Sequence, residues 1–198
     1  MIEVRLATPT DATGILSIYT PYILSDHATF ETKIPSLAEF RDRIQQYSEK
    51  FPWIVCLINN KIAGYVYASP FKAREAYQWS AECSVYIADN FKNKGIGKCL
   101  YNLLFPILKL QGIRSLYAGV TLPNIPSVKL HEGLNFKSVC EYENIGYKLG
   151  RWHNVGWWKL QLNDYDAEPP PFIEFTQMDH TQFIAAFNKT AECIQSRL

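Results

Sequence analysis

A glycine- and lysine-rich segment at residues 92–98, KNKGIGK, is the part of the sequence best suited to bind phosphate. It stands between a predicted strand and a predicted helix, so glycine N–H groups and the positive end of the helix dipole converge on one place. The pattern lacks the third glycine of a dinucleotide fingerprint and the spacing of a P-loop. A glycine-rich turn with solvated lysines remains the alternative. The candidate phosphate-binding residues are Lys92, Asn93, Lys94, Gly95, Ile96, Gly97 and Lys98.

A second chemically suggestive segment is the basic and aromatic loop at residues 70–79, PFKAREAYQW. Lys72 and Arg74 can form charge-assisted hydrogen bonds with a carboxylate or phosphinate, and Tyr77 can add a phenol donor. These residue types together favour recognition of a small acidic molecule. The alternative is a basic loop that is simply solvated.

The elements that position these segments follow a mixed α/β order. We predict helices beginning near Pro9, at 36–50, at 96–110 and at 124–133, and strands at 2–7, 53–58, 61–69, 81–88, 114–120, 136–149 and 155–162. Ser36 and Glu39 form a capping box, and Asn59-Asn60 predicts a tight hairpin turn. The unit from 81 to 120 predicts a parallel crossover beside an antiparallel first half.

The sequence predicts one domain at residues 1–163, followed by a linker and tail at 164–198. Pro169–Pro171 should stiffen the linker and carry the chain away from the domain. A helix is predicted from about Thr181 to Gln195. Because every candidate site residue precedes the tail, we expect activity to survive removal of residues 172–198.

Composition excludes several classes of function. The 198 residues include 20 basic and 19 acidic side chains, which gives no electrostatic reason to expect nucleic acid or an anionic membrane as a partner. The five cysteines are scattered and form no metal-ligand cluster, so we expect reduced thiols and no metal. Without a long apolar run, the chain is expected to be a cytoplasmic protein.

The second half of the sequence resembles the phosphinothricin acetyltransferase branch of the GNAT superfamily. The resemblance is carried by PFKAREAYQW, the strand beginning at Glu82, KNKGIGK, LPNIPSVKLHEGLNF and GYKLGRWHNVGWW, and it extends more loosely over residues 2–163. One departure is Lys92, where the family usually has Arg or Gln. The resemblance implies a mixed, mostly antiparallel sheet flanked by helices. It further implies acetyl-CoA as cosubstrate, a small amino-acid-like amine as acceptor and a homodimer.

The resemblance also assigns roles to individual residues. It implies that Glu82 is the general base, that His131 protonates the leaving thiolate, and that Phe30 forms a wall of the substrate pocket beside Lys72, Arg74 and Tyr77. The strand residues Val85, Tyr86 and Ile87, with Asn124 and Ser127, should contact the pantetheine arm of the cofactor. Trp152, Trp157 and Trp158 mark the expected dimer interface.

Other interpretations of these residues stay open. Glu82 could be a solvated strand carboxylate, Asn124 a helix cap, and His131 a packing residue. Because Cys83 points to the opposite strand face from Glu82, no cysteine is placed as an acyl carrier, which favours direct attack by the amine. The alternative functions are acetylation of a protein N-terminus or lysine, and CoA binding without catalysis.

Overall fold

A computed structural model describes residues 1–198 as a seven-stranded sheet with helices on both faces. The strand order is β1-β2-β3-β4-β5-β7-β6, and all neighbouring strands are antiparallel except β4 and β5. This confirms the predicted fold class. The strands are β1 (Ile2–Leu6), β2 (Trp53–Ile58), β3 (Lys61–Pro70), β4 (Ser80–Ile87), β5 (Ser115–Leu122), β6 (Lys137–Lys148) and β7 (Arg151–Gln161).

The second and fourth α-helices begin at residues whose side chains cap them. Ser36 and Glu39 form the predicted capping box at the start of the second helix, and Asn59 and Asn60 adopt positive φ angles in the β2–β3 turn. None of the helices has the length and apolar character needed to span a bilayer. The helices are α1 (Ala12–Ser25), α2 (Leu37–Lys50), α3 (Ile96–Leu110), α4 (Ile125–Glu132) and α5 (Ile184–Gln195).

Two hydrophobic cores lie on opposite faces of the sheet, as strand alternation requires. Helices α1 and α2 cover one face, where Trp53, Val55 and Tyr65 are buried. Helices α3 and α5 cover the other, where side chains from both helices pack against Ile54, Cys56 and Ala68. The sheet is therefore held from both sides, and its irregularities are confined to places where strands separate or bulge.

Strands β4 and β5 pair over only three residue pairs and then diverge. The parallel ladder runs from Ser80–Ser115 to Glu82–Tyr117, although β4 continues to Ile87 and β5 to Leu122. The register between β3 and β4 is unbroken, so the separation arises without a bulge in β4. It leaves an open gap in the sheet directly after Glu82.

The last two strands differ from the sequence prediction. A turn at Leu149 and Gly150, both with positive φ, starts β7 at Arg151, so most of the segment GRWHNVG is strand and not the predicted connection. Trp158 is buried in the core, and Trp157 is partly buried with its ring over Gly119. Trp152 is 60% exposed and is the only one of the three tryptophans that lies fully on the surface.

The prediction that Pro169–Pro171 carries the chain away from the domain is wrong. The Trp79 indole donates a hydrogen bond to the Pro170 carbonyl, and Phe172 packs against Phe51. The predicted helix is present as α5, and it packs against α3 and β1. The stiff segment therefore runs back along the domain, where the Pro170 carbonyl accepts the Trp79 hydrogen bond.

Side chains of the C-terminal segment are integral to the core. Phe175, Phe183 and Ile194 are all buried in the same cluster as α3 and the central strands. Removal of residues 172–198 would expose that cluster to water. The expectation that such a truncation leaves the enzyme intact therefore conflicts with the packing.

We predict that Phe183→Ala lowers the free energy of unfolding by about 3 kcal/mol, because it removes a buried aromatic ring and leaves a cavity. Ile184→Ala is the matched control, since Ile184 is exposed, and it should change stability by less than about 0.5 kcal/mol. Urea denaturation of both variants measures the difference. Equal stabilities would contradict the packing described for the C-terminal segment.

Candidate active site

A cavity of about 570 Å³ occupies the gap between β4 and β5. It is lined by the far end of β4, the segment 92–98, the start of α3 and the whole inner face of α4. Eleven of the twelve predicted cofactor-binding residues line it, namely Val85, Tyr86, Ile87, Lys92, Asn93, Gly95, Ile96, Gly97, Lys98, Asn124 and Ser127. The twelfth, Lys94, lies outside the lining, with its ammonium over the Phe91 ring.

The two glycines of the phosphate segment differ in whether the fold itself requires glycine at their positions. Gly95 is the N-cap of α3 and has a φ of 73°, a conformation that side chains disfavour. Gly97 has room around it: an ideal Cβ would lie 3.6 Å from Leu130 and 3.7 Å from Val85, which are ordinary contacts. The fold alone therefore does not require glycine at position 97. A ligand that approaches the backbone closely at this position would require it.

The positive charges of the lysines in this segment are only partly available to a ligand. Lys92 forms an ion pair with Asp89 at 2.7 Å, and its ammonium also lies 4.7 Å from the centre of the Tyr22 ring. The Tyr22 hydroxyl donates to the Ile87 carbonyl at the end of β4. Lys98 makes no ion pair and lines the cavity. Lys92, Lys98 and Lys129 line the cavity against one acidic residue, Asp26, and this excess of cations favours an anionic ligand.

Helix α4 brings Asn124, Ser127 and His131 to one side of the gap. The Asn124 side-chain oxygen accepts a hydrogen bond from the Ser127 N–H, so Asn124 is a helix cap, and its amide nitrogen remains available as a donor. His131 is buried and its Nδ1 lies 2.8 Å from the Ser127 carbonyl oxygen. A carbonyl only accepts, so Nδ1 carries a proton.

Tyr101 on α3 contacts the other nitrogen of that imidazole. The Tyr101 hydroxyl lies 3.2 Å from Nε2 of His131, and both side chains line the cavity. Burial lowers the pKa of His131 and raises that of Tyr101. The neutral imidazole therefore accepts from the tyrosine hydroxyl, and a proton donor is held at the cavity wall.

Glu82 lies at the last position where β4 pairs with β5, and its side chain is half-buried. It is not among the residues that line the gap, although the next two residues of β4, Cys83 and Ser84, are. Burial raises the pKa of the Glu82 carboxyl, while the nearby ammonium of Lys72 acts in the opposite direction. The carboxylate forms no ion pair within the chain, so it remains available to accept a proton.

The predicted substrate-binding residues fall into two places. Lys72, Arg74 and Tyr77 line a second cavity of about 710 Å³, which shares no lining residue with the gap and is closed on one side by Phe172 and Glu174. Of the three, Lys72 is the one that acts electrostatically on Glu82. All three therefore lie in a different cavity from the predicted cofactor-binding residues.

Phe30 lies outside the gap lining and packs against the β6–β7 hairpin. Its ring covers Gly146, where any side chain would clash with it, and lies 6.2 Å from the His153 ring. The preceding loop residues Asp26 and Ala28 do line the gap. Lys148 fixes this loop, because its buried ammonium donates to the Thr29 carbonyl at 2.7 Å.

Sequence reasoning missed several residues of the site. Tyr101 lies four residues after Gly97 on α3, so helical spacing alone would have placed it beside the phosphate segment. Tyr22 offered no such signal, because α1 is distant in sequence from β4. The stretch from Gly119 to Thr121 on β5 lines the gap only because β5 separates from β4.

The gap between two parallel strands, the glycine-rich helix start and the half-buried Glu82 carboxylate beside the gap are features that suit an acyltransferase. The family profile described as "Acetyltransferase (GNAT) domain" matches residues 4–157. The chain therefore belongs to the GNAT acetyltransferase family, and the predicted family, fold and enzyme class are confirmed.

Individual relatives narrow the comparison. The chain is 35% identical over 177 residues to phosphinothricin N-acetyltransferase of Streptomyces viridochromogenes, covering 89% of this chain and 96% of that protein. It is 25% identical to an L-methionine sulfoximine/L-methionine sulfone acetyltransferase of Salmonella typhimurium, covering 84% of this chain and 98% of that protein. The crystal structure of a phosphinothricin acetyltransferase from Sinorhizobium meliloti in complex with acetyl-CoA superposes with a TM-score of 0.82 at 30% identity, covering 89% of this chain and 97% of that one.

We predict that the His131 ring is neutral near neutral pH, with its proton on Nδ1, because burial opposes the imidazolium and Ser127 accepts from Nδ1. Nitrogen-15 NMR of labelled imidazole distinguishes the tautomers. Tyr101→Phe should move the Nε2 resonance and leave the Nδ1 proton in place. A ring with protons on both nitrogens near neutral pH would contradict the assignment.

Proposed function

We propose that the protein transfers acetyl from acetyl-CoA to the primary amine of a small, acidic, amino-acid-like molecule of the phosphinothricin or methionine sulfoximine type. The observation that carries the proposal is the half-buried Glu82 carboxylate, with a raised pKa, at the point where β4 and β5 separate. The names of the relatives support the substrate class.

The gap offers the groups that CoA would need. Its lining combines the unpaired edge of β4, whose backbone groups can hydrogen-bond the amides of a pantetheine arm, with the phosphate segment at the mouth. The space around Gly97 accommodates a close backbone contact to a diphosphate. When bound there, acetyl-CoA supplies an acetyl thioester.

Glu82 supplies the base. An amine arrives as ammonium near neutral pH and must lose a proton before it can attack. The raised pKa of Glu82 makes the carboxylate a stronger base than a solvated glutamate, and a single water can relay the proton. A backbone N–H near Tyr86 is available to stabilise negative charge on the acetyl oxygen.

Tyr101 and His131 supply the proton that the leaving thiolate requires. We assign the Tyr101 hydroxyl as the donor: its proton, which Nε2 of His131 accepts in the free protein, turns to the thiolate, while the His131 proton on Nδ1 stays with the Ser127 carbonyl. His131 acts through its Nε2, which holds the tyrosine hydroxyl in place. This assignment modifies the role implied by resemblance, in which His131 alone is the acid.

The proposed substrate class is supported in this chain by the cationic and phenolic side chains of Lys72, Arg74 and Tyr77. A cation next to Glu82 attracts the acidic group of the substrate while the carboxylate receives its ammonium. The two charges match the two ends of an amino-acid-like zwitterion.

A homodimer is part of the proposal. The outer strand β6 exposes an apolar surface, and Trp152 on β7 extends it. An edge strand that faces only water would be expected to expose fewer large apolar side chains. The exposed apolar residues are Val139, Tyr142, Ile145, Tyr147 and Trp152. We expect light scattering to give a dimer at micromolar concentration and Trp152→Asp to give a folded monomer. A monomeric wild-type protein would refute the dimer.

We predict that thiol release from acetyl-CoA depends on an acidic amino-acid-like amine, and that Glu82→Gln lowers kcat about 10²-fold, the usual scale for a general base. Glu49→Gln, an exposed carboxylate on α2, is the matched control and should behave as wild type. Turnover near the wild-type rate in Glu82→Gln would exclude the base assignment, and no turnover with any amine would exclude the proposed function.

The pH profile provides a second measure of the same group. The base works deprotonated, so kcat/KM should fall as pH drops through the pKa of Glu82. Lys72→Met removes a cation that lowers this pKa, so the acidic limb should move to higher pH. An unmoved limb would show that another group controls it.

A further inference from the structure

An arginine from the C-terminal segment lies at the start of α3. The guanidinium of Arg197 occupies the space that a side chain at Gly95 would take: an ideal Cβ there would lie 2.7 Å from Nη1 and 3.3 Å from Cδ of Arg197. The two residues are about a hundred positions apart in sequence. Residues 158–198 lie outside the family profile, so the family pattern does not account for this contact.

The guanidinium has no acidic partner. Arg197 takes part in none of the six ion pairs of the protein, and its side chain is exposed. The neighbouring thiols of Cys193, one turn earlier, and Cys99 raise the pKa of the Arg197 guanidinium. The exposed side chain keeps its positive charge beside Gly95.

The other cations near the first turn of α3 are lysines. Lys92 is paired with Asp89, whereas the Lys94 ammonium lies over the Phe91 ring without an ion pair. Lys98 also forms no ion pair, and it lines the gap. Arg197 differs from these lysines because it is a guanidinium and is not among the residues that line the gap, so it does not fill the space proposed for the pantetheine arm. It lies beside Gly95 in the segment proposed to bind the phosphates.

We propose that Arg197 is a ligand for a phosphate group of the ADP half of CoA, supplied by the C-terminal segment. The inference rests on the proposed use of acetyl-CoA. A guanidinium presents paired N–H donors to phosphate oxygens, and its planar geometry suits them better than an ammonium does. The packing of α5 on α3 and β1 fixes the backbone from which the side chain extends.

Calorimetry on the full-length protein tests the assignment. Arg197→Ala should weaken acetyl-CoA binding about tenfold, and Arg197→Lys should recover part of the loss. The matched control is Lys189→Ala, which removes one positive charge from an exposed position on the same helix and should leave affinity unchanged. At saturating acetyl-CoA, kcat should be the same in all variants, and thermal unfolding establishes that each is folded.

Truncated ligands identify the contact. The deficit of Arg197→Ala should disappear with acetyl-pantetheine, which has no phosphate. Dephospho-CoA then distinguishes the two sources: a deficit that persists assigns Arg197 to the diphosphate, and one that vanishes assigns it to the 3′-phosphate. Unchanged or tighter binding of acetyl-CoA by Arg197→Ala would overturn the inference. Failure of the wild-type protein itself to bind acetyl-CoA would instead overturn the proposed function.

Discussion

Two parallel strands that share a ladder for three residue pairs must leave backbone N–H and C=O groups without strand partners beyond it. Buried backbone groups in that state are costly unless water or a ligand satisfies them. The separation of β4 from β5 after Glu82 thus creates the need for a ligand and the opening that admits it. Helix α4 and the segment 92–98 line that opening, and the rest of the sheet holds it open, since β4 keeps unbroken register with β3.

The same separation bears on the protonation chemistry. Glu82 lies at the last paired position, where partial burial raises the pKa of its carboxyl. Tyr101 and His131 line the gap itself and are held neutral by burial. The proposed proton acceptor therefore lies at the end of the shared ladder, and the proposed proton donor lies in the wall of the gap.

Much of this arrangement could be predicted from the sequence because its signals are local. The capping box at Ser36, the Asn59-Asn60 turn and the helix start after Gly95 each follow from a few neighbouring residues. The start of β7 could not be predicted, because Leu149 adopts a positive φ that leucine seldom takes. Tyr22 and Gly119 reach the site through tertiary packing, which no local pattern records.

The C-terminal segment shows the same limit most clearly. Three prolines in a row predict an extended chain but not the direction in which it runs. That direction depends on tertiary contacts, such as the hydrogen bond that the Trp79 indole donates to the Pro170 carbonyl. Once that contact is made, Phe175 and Phe183 reach the core and α5 lies along α3. The C-terminal segment, which composition sets apart from the domain, is thereby packed on α3, the helix whose first turn faces the proposed phosphate site. The contact between α5 and α3 consequently couples packing of the core to the shape of the proposed cofactor site.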